Sequence, residues 1–157
     1  MFRINRRTDY AVRVMLCLAK RTFGTRLSTQ AIQDEMQIPR AFLQRIIADL
    51  SKAELIQTYP GPNGGIQMGR PAHHVNLRHI WEAIEGPFLI SECIEKPQDC
   101  PLNTGCPVCS HWTRLQCLIT RELDSVHLDQ LADEAWQIER QPGNSIPPTG
   151  MQIATSS

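Results

Sequence analysis

Residues 28–68 read STQAIQDEMQIPRAFLQRIIADLSKAELIQTYPGPNGGIQM, and this stretch decides the fold. Ser28 suits a helix N-cap, and the apolar spacing after it predicts a helix over 29–36. Pro39 then fits the first turn of a second helix, which runs to about Ala53. The inward side of this second helix is predicted to carry Phe42, Leu43, Ile46, Ile47 and Leu50.

Two short β segments follow the helix pair, at about Leu55–Tyr59 and Ile66–Met68. The segment between them, PGPNGG, contains Asn63-Gly64, which is typical of a tight turn whose two central residues accept positive φ. A helix pair followed by a hairpin is the outline of a winged helix-turn-helix. We therefore predict a mainly α fold with a small β-hairpin wing.

Three short helices and one long helix are predicted around this unit. Thr8 is a fair N-cap for a helix over 8–21, and Asn76 caps one at about Leu77–Glu85. The segment 91–107 has neither a helical nor a strand period, and we interpret it as a long loop. Such a loop in a compact domain is usually functional. The remaining helices are expected at Pro107–Ser125 and Leu128–Ala135.

The long helix carries apolar residues at near-heptad spacing. This stripe fits either ordinary core or a dimer seam, and a protruding long helix usually packs on a partner. The stripe consists of Val108, Trp112, Leu115, Ile119, Leu123 and Val126. The predicted organisation is a DNA-binding region at 1–75, a cysteine loop with a dimerisation helix at 76–136, and a disordered tail at 137–157.

Composition and charge narrow the class of protein. The 157 residues are 41% hydrophobic and 20% charged, which is typical of a globular chain. No run approaches the roughly 18 apolar residues of a membrane span. The N-terminus, MFRINRRTDY, places Asp9 where a signal peptide would be apolar, so a cytoplasmic location is expected.

The net charge of zero conceals a basic and an acidic half. Residues 1–60 carry ten Lys and Arg against five Asp and Glu, and residues 61–157 carry six against eleven. The excess of positive charge in the first half indicates double-stranded DNA as the partner there.

The second helix of the pair would enter the major groove by its N-terminus. Arg40, Gln44 and Arg45 are predicted on its outward face, where Arg suits guanine and Gln suits adenine. Glycine at the wing tip would let the backbone of Asn63 and Gly64 approach phosphate or the minor groove. Phosphate contacts from the first helix are expected from Arg3, Arg6, Arg7 and Arg13.

Four of the six cysteines fall between residues 93 and 109, in the pattern Cys93-x6-Cys100-x5-Cys106-x2-Cys109. Thiolates from one irregular loop commonly hold an iron–sulfur cluster. Structural zinc usually uses two Cys-x-x-Cys pairs, and only Cys106 and Cys109 form one. A thiol–disulfide switch is the third alternative. Cys17 is expected to be a buried side chain.

Several motifs together resemble one family of bacterial regulators, the Rrf2 family, which includes iron–sulfur regulators of the IscR and NsrR type. The resemblance covers about residues 2–136. Two departures concern the wing, where Ile66 replaces a common aromatic residue and Pro60 a common arginine. The motifs that carry the resemblance are Thr8-Asp9-Tyr10-Ala11-Val12-Arg13, Leu50-Ser51-Lys52-Ala53-Glu54-Leu55-Ile56, Gly61-Pro62-Asn63-Gly64-Gly65 and Ile84-Glu85-Gly86-Pro87.

The resemblance implies a homodimeric winged helix-turn-helix transcription regulator whose iron–sulfur cluster controls DNA binding. Cys93, Cys100 and Cys106 match the three cluster cysteines of the family. In one branch a histidine completes a 2Fe–2S site, and here Cys109 occupies its position. In another branch an acidic residue of the partner subunit completes a 4Fe–4S site, and Asp9 matches it.

The sequence therefore predicts a regulator that senses redox state, nitric oxide or iron supply through this cluster. The same DNA-binding fold with zinc or a thiol switch is one alternative, and an iron–sulfur carrier or electron-transfer protein is another. No catalytic motif is recognisable, so we do not expect an enzyme.

Overall fold

The computed structural model describes residues 3–102 and 105–140. Two strands, β1 (Ile56–Tyr59) and β2 (Gly65–Met68), form an antiparallel hairpin. Single 3-10 turns lie at Ala72–His74 and Pro97–Asp99. The α-helices are α1 (Arg6–Ala19), α2 (Thr29–Met36), α3 (Arg40–Lys52), α4 (Leu77–Glu85), α5 (Glu92–Glu95), α6 (Pro107–Ser125) and α7 (Leu128–Arg140). The mainly α prediction with a β-hairpin wing is confirmed.

Helix α1 lies at the centre of the core and packs on α2, α3, α4, α7 and β2. One side of this helix is fully enclosed, including Val14 and Met15. The helix pair contributes Ile32, Leu43 and Ile46, which are also fully buried. Helices α1, α2 and α3 form what we call the recognition unit. Burial of these apolar side chains is the main favourable contribution to the stability of this unit.

The start of α1 differs from the prediction. Asn5 is the N-cap, since its side-chain oxygen accepts a hydrogen bond of 2.9 Å from the Thr8 amide. Thr8 is buried inside the first turn, and its hydroxyl donates to Glu85 at the end of α4. The predicted cap was wrong because both residue types cap helices well. The helix also ends at Ala19, two residues before the predicted limit.

The helix pair has the predicted bounds with small differences. Gln37 adopts a left-handed conformation with φ of 52° and ends α2. Pro39 is the N-cap of α3 and not part of its first turn. Phe42, predicted to be inward, is 40% exposed and packs edge-on against Tyr10 with ring centroids 5.5 Å apart.

The wing has a five-residue loop. The strand register pairs Tyr59 with Gly65, and the Gly64 amide donates 3.0 Å to the Gly61 carbonyl. Positive φ is found at Gly61 and Gly65, with 93° and 137°, and not at Asn63 or Gly64. The positive φ predicted for Asn63 and Gly64, as the central residues of a tight turn, is therefore wrong.

The segment after α4 is more ordered than predicted. Residues 91–107, expected to lack helical structure, contain α5 and a 3-10 turn. Helix α7 continues to Arg140, so residues 137–140 of the predicted disordered tail are helical. Residues 141–157 lie outside the described residues.

A backbone junction joins α4 to the end of α6 and the start of α7. The Leu77 amide donates to the Val126 carbonyl at 3.0 Å, and the Leu128 amide donates to Val75 at 2.9 Å. Asn76 caps α4 by accepting from the His79 amide, and its side-chain amide donates 3.3 Å to the Asp124 carbonyl. The end of α6 is thereby fixed to the start of α4.

No helix in the described part of the chain is long and apolar enough to cross a membrane.

Candidate nucleic-acid interface and cysteine site

Helix α3 presents two opposite faces. Leu43, Ile46 and Leu50 are buried, whereas Arg40, Gln44 and Arg45 are exposed, as the sequence predicts. In the described residues neither arginine has a carboxylate within ion-pair distance. Their guanidinium donors are therefore open to phosphate or base edges.

Arg7 and Asp9 on α1 are engaged within the chain. Arg7 forms an ion pair with Asp49 of α3, so it joins two helices of the recognition unit. Asp9 pairs with Arg13 one turn later, at 2.8 Å, and both side chains are about half exposed. Neither pair excludes a role at a partner, because exposed ion pairs contribute only about 0–1 kcal/mol.

The wing tip has little room for side chains. Asn63 is exposed at the tip, as predicted. A Cβ on Gly64 would lie 2.0 Å from the Tyr59 carbonyl oxygen, and one on Gly65 would lie 2.7 Å from that of Leu27. Glycine at these two positions is required by the close approach of the backbone, in addition to any contact with DNA.

The outer face of the wing carries a polar network that the sequence analysis did not identify. The Tyr59 hydroxyl donates 2.9 Å to Gln57, and Gln67 donates 3.1 Å to the same hydroxyl. The Arg26 guanidinium lies over the Tyr59 ring, 3.6 Å from its centroid. Arg26 and Tyr59 are distant in sequence, and no local pattern indicates that their side chains meet.

Three cysteine thiols approach one another at the start of α6. Cys93 and Cys106 both lie near enough to Cys109 to act electrostatically on its thiol. Desolvation and these neighbouring thiols raise the pKa of Cys109. The Ser91 hydroxyl lies 2.9 Å from the Cys93 sulfur and shares a hydrogen bond with it.

Cys93 and Cys100 line one open concavity together with Glu92, Glu95, Lys96 and Asp99. In residues 3–102 and 105–140, no set of three or more His, Cys, Asp or Glu side chains already surrounds a point as metal ligands. The donor chemistry nevertheless fits iron or zinc, since both bind thiolates. The site is thus a group of neighbouring thiols and not a preformed cage.

The remaining cysteines lie apart from this group. Cys17 is fully buried, as predicted, and burial together with Glu35 raises its pKa to about 11. It therefore stays a neutral thiol at physiological pH and is a poor ligand or nucleophile. Cys117 is exposed on α6.

Comparison with known protein families identifies the family to which this chain belongs. The family described as "Rrf2: Iron-dependent Transcriptional regulator" matches residues 4–134. The chain belongs to the Rrf2 family. This Rrf2 protein is accordingly a DNA-binding transcriptional regulator, as predicted.

Relatives of this Rrf2 protein agree in fold and class. It is 31% identical over 100 residues to the HTH-type transcriptional regulator NsrR of Oceanobacillus iheyensis, covering 63% of this chain and 68% of the relative. It is similar to the solved structure of T. potens IscR, with a TM-score of 0.64, 25% identity and coverage of 85% and 88%. The structure of CymR, the global cysteine regulator of B. subtilis, superposes with a TM-score of 0.65 at 21% identity, covering 85% and 98%.

Proposed function

We propose that this protein is a cytoplasmic, homodimeric regulator that senses redox state, nitric oxide or iron supply through an iron–sulfur cluster in the cysteine loop. The observation that carries the proposal is the meeting of Cys93, Cys106 and Cys109 at the start of α6, with Cys100 beside Cys93. Cys93, Cys100 and Cys106 would be ligands. Such a cluster supplies iron that reacts with oxidants or nitric oxide and is lost when iron is scarce.

The fourth ligand distinguishes two forms of the site. Cys109 lies near Cys93 within one chain, which supports it as the ligand of a 2Fe–2S site. Asp9 is on α1, half exposed and paired with Arg13, and would reach a 4Fe–4S site only from the partner subunit. In the second form, ligand loss would release α1 directly.

Helix packing supports a route from the cysteine loop to DNA. Helix α6 begins at the cysteines and packs on α4, and α4 packs on both α1 and α3. A change in how the cysteine loop holds the start of α6 would therefore alter the packing of α4 against α3, the predicted recognition helix. The route requires two arrangements of these helices that differ in affinity for DNA.

The exposed apolar face of α6 supports a homodimer. No residue of α6 is buried within the described chain, even though the helix carries large apolar side chains. Trp112 is 43% exposed and Leu118 is 55% exposed. Val108 and Leu115 extend the same face along the helix. An apolar stripe of this length on a soluble regulator is expected to be covered by a second copy of the helix.

The deciding experiment is anaerobic purification, followed by the visible absorption spectrum and by iron and acid-labile sulfide counts per chain. We expect coloured protein with equal iron and sulfide, and two or four of each per cluster. Cys93→Ser, Cys100→Ser and Cys106→Ser should each abolish the colour, whereas Cys117→Ser is the matched control and should keep it. Colourless protein after anaerobic reconstitution would contradict the proposal.

Two variants then identify the fourth ligand. Cys109→Ser should remove or shift the spectrum if Cys109 binds, and Asp9→Ala should do so if Asp9 of the partner subunit binds. DNA affinity is measured before and after treatment with nitric oxide and with peroxide. An affinity that is the same with and without the cluster would contradict a sensing role.

A thiol switch is the second candidate, supported by the nearness of Cys93 and Cys109. Hydrogen peroxide would take two electrons and two protons from these thiols, forming the disulfide and two molecules of water. The fold similarity to CymR, described as a cysteine regulator, is compatible with thiol chemistry. Counting free thiols after peroxide treatment, with Cys109→Ser as control, tests the thiol switch. One zinc ion per colourless chain would instead favour a zinc site.

A further inference from the structure

The wing hairpin carries no charge. Residues 55–69, LIQTYPGPNGGIQMG, contain no Asp, Glu, Lys, Arg or His. Double-stranded DNA is a dense polyanion, and most of the affinity of DNA-binding proteins comes from cations that neutralise its phosphates. The hairpin cannot supply such a cation from its own side chains.

A cation reaches the wing from the connection between α1 and α2. The Leu27 amide donates 2.9 Å to the Ile66 carbonyl, and the Ile66 amide donates 2.8 Å back to Leu27. This bridge fixes the backbone beside β2, and Arg26 is the preceding residue. The exposed Arg26 side chain then lies over the Tyr59 ring, with 3.6 Å between the guanidinium carbon and the ring centroid.

The Tyr59 ring is itself held in place by the surrounding polar groups. Its hydroxyl donates to Gln57 and accepts from Gln67, at 2.9 and 3.1 Å. The residue also lines an open groove between the wing tip, the start of α2 and Ile47 of α3. The stacked guanidinium is therefore adjacent to the region between the recognition helix and the wing.

The stacking leaves the hydrogen-bond donors of Arg26 free. An aromatic ring contacts a guanidinium through its flat face, whereas the N–H donors lie in the plane and point outward. Within the part of the chain that the structure describes, Arg26 has no carboxylate at ion-pair distance, in contrast to Arg7, Arg13 and Arg21. A planar fork of this kind suits phosphate oxygens.

We propose that Arg26 binds a phosphate of the DNA backbone beside the wing, with Tyr59 as its positioning residue. The inference rests on the DNA-binding function of the chain. Because the ring already restricts the long side chain, less conformational entropy is lost when phosphate binds.

The test compares Arg26→Ala with wild type on two fluorescent duplexes of equal length: one selected from a random pool by the wild-type protein, and one of random sequence. Each phosphate contact changes the slope of log K against log salt by about 0.9, so loss of one contact weakens binding about eightfold at roughly 0.1 M salt, and loss of one per protomer weakens binding of a dimer about sixtyfold. We expect this loss on both duplexes, vanishing on extrapolation to about 1 M salt. Arg121→Ala, on α6, is the matched control for net charge.

Either of two results would overturn the assignment: an unchanged salt slope in Arg26→Ala, or a loss confined to the selected duplex, which would indicate base reading. Failure of wild type to bind either duplex would contradict the DNA-binding function and not this contact alone. Circular dichroism confirms that each variant is folded.

The role of Tyr59 is tested separately by retention or loss of the ring. Tyr59→Phe keeps the stacking face and should match wild type within about twofold. Tyr59→Ala should weaken binding, and the double variant with Arg26→Ala should be no weaker than Arg26→Ala alone. Additive losses would show that Tyr59 acts on DNA independently and would refute its positioning role.

Discussion

Replacing Gly65 by alanine should destabilise the protein more than the same change at Gly61, four residues away. Both glycines have positive φ, 137° and 93°, so alanine is strained at each by about 1–3 kcal/mol. At Gly61 an added Cβ meets no atom within 4 Å. At Gly65 it would lie 2.7 Å from the Leu27 carbonyl oxygen, which belongs to the backbone and cannot rotate away.

The extra loss at Gly65 follows from the bridge between Leu27 and Ile66. Relieving the contact requires this bridge to open, which removes two backbone hydrogen bonds worth about 1 kcal/mol each. Gly65→Ala should therefore lower the free energy of unfolding by about 2 kcal/mol more than Gly61→Ala. The smaller entropy of unfolded alanine is common to both variants and cancels in this difference.

The measurement is urea denaturation followed by circular dichroism, at one fixed protein concentration so that any association contributes equally. Gly105→Ala is the unstrained control, since its Cβ would meet nothing within 4 Å and its φ is not positive. Equal stabilities of the Gly61 and Gly65 variants would refute the claim that the bridge sets the position of the wing.

Other perturbations test the core, the α4 cap, the ion pairs and the dimer. Ile46→Ala in the fully buried face of α3 should reduce the free energy of unfolding by about 2–5 kcal/mol, measured in urea, and a loss below about 1 would contradict its burial. Asn76→Ala should lose about 1 kcal/mol or more, whereas Asn76→Ser should retain most of the cap, and equal losses would argue against capping. Arg21 lowers the pKa of Glu35, so this carboxylate stabilises the fold at pH values above its unfolded pKa, and the contribution is lost as pH falls through the folded pKa. Glu35→Gln should therefore reduce the loss of stability at acidic pH. Parallel curves of stability against pH for the variant and wild type would refute this. Leu118→Glu should give monomers in sedimentation experiments, with a change of the same charge at exposed Gln137 as control.

The recognition unit was predictable because its signals are local. The bounds of α2 and the buried face of α3 follow from 3.6-residue periodicity next to Ser28 and Pro39. The long helix α6 has the predicted bounds for the same reason. Its face is exposed in the single chain, which periodicity cannot reveal because core and interface stripes have the same spacing.

The errors occurred where long-range pairing decides the local geometry. The wing loop has five residues because Tyr59 pairs with Gly65, and this register overrides the preference of Asn63-Gly64 for a two-residue turn. At the start of α1, Asn5 and Thr8 are both good caps by type, and Thr8 instead donates its hydroxyl to Glu85, 77 residues away. The neighbouring position of Cys93 and Cys109 likewise depends on how α5 turns the chain, which spacing does not specify.

Helix α6 joins the cysteine loop at its start to the junction with α4 at its end, and this makes the helix a lever. Its 19 residues span about 28 Å at about 1.5 Å each, from the cysteines to the junction with α4. A tilt of about 2° at the junction therefore moves the cysteine end by about 1 Å over that length. Because such an angle barely alters hydrogen bonds near 3 Å, movement of the thiols leaves the junction intact and reaches α4 as a rotation.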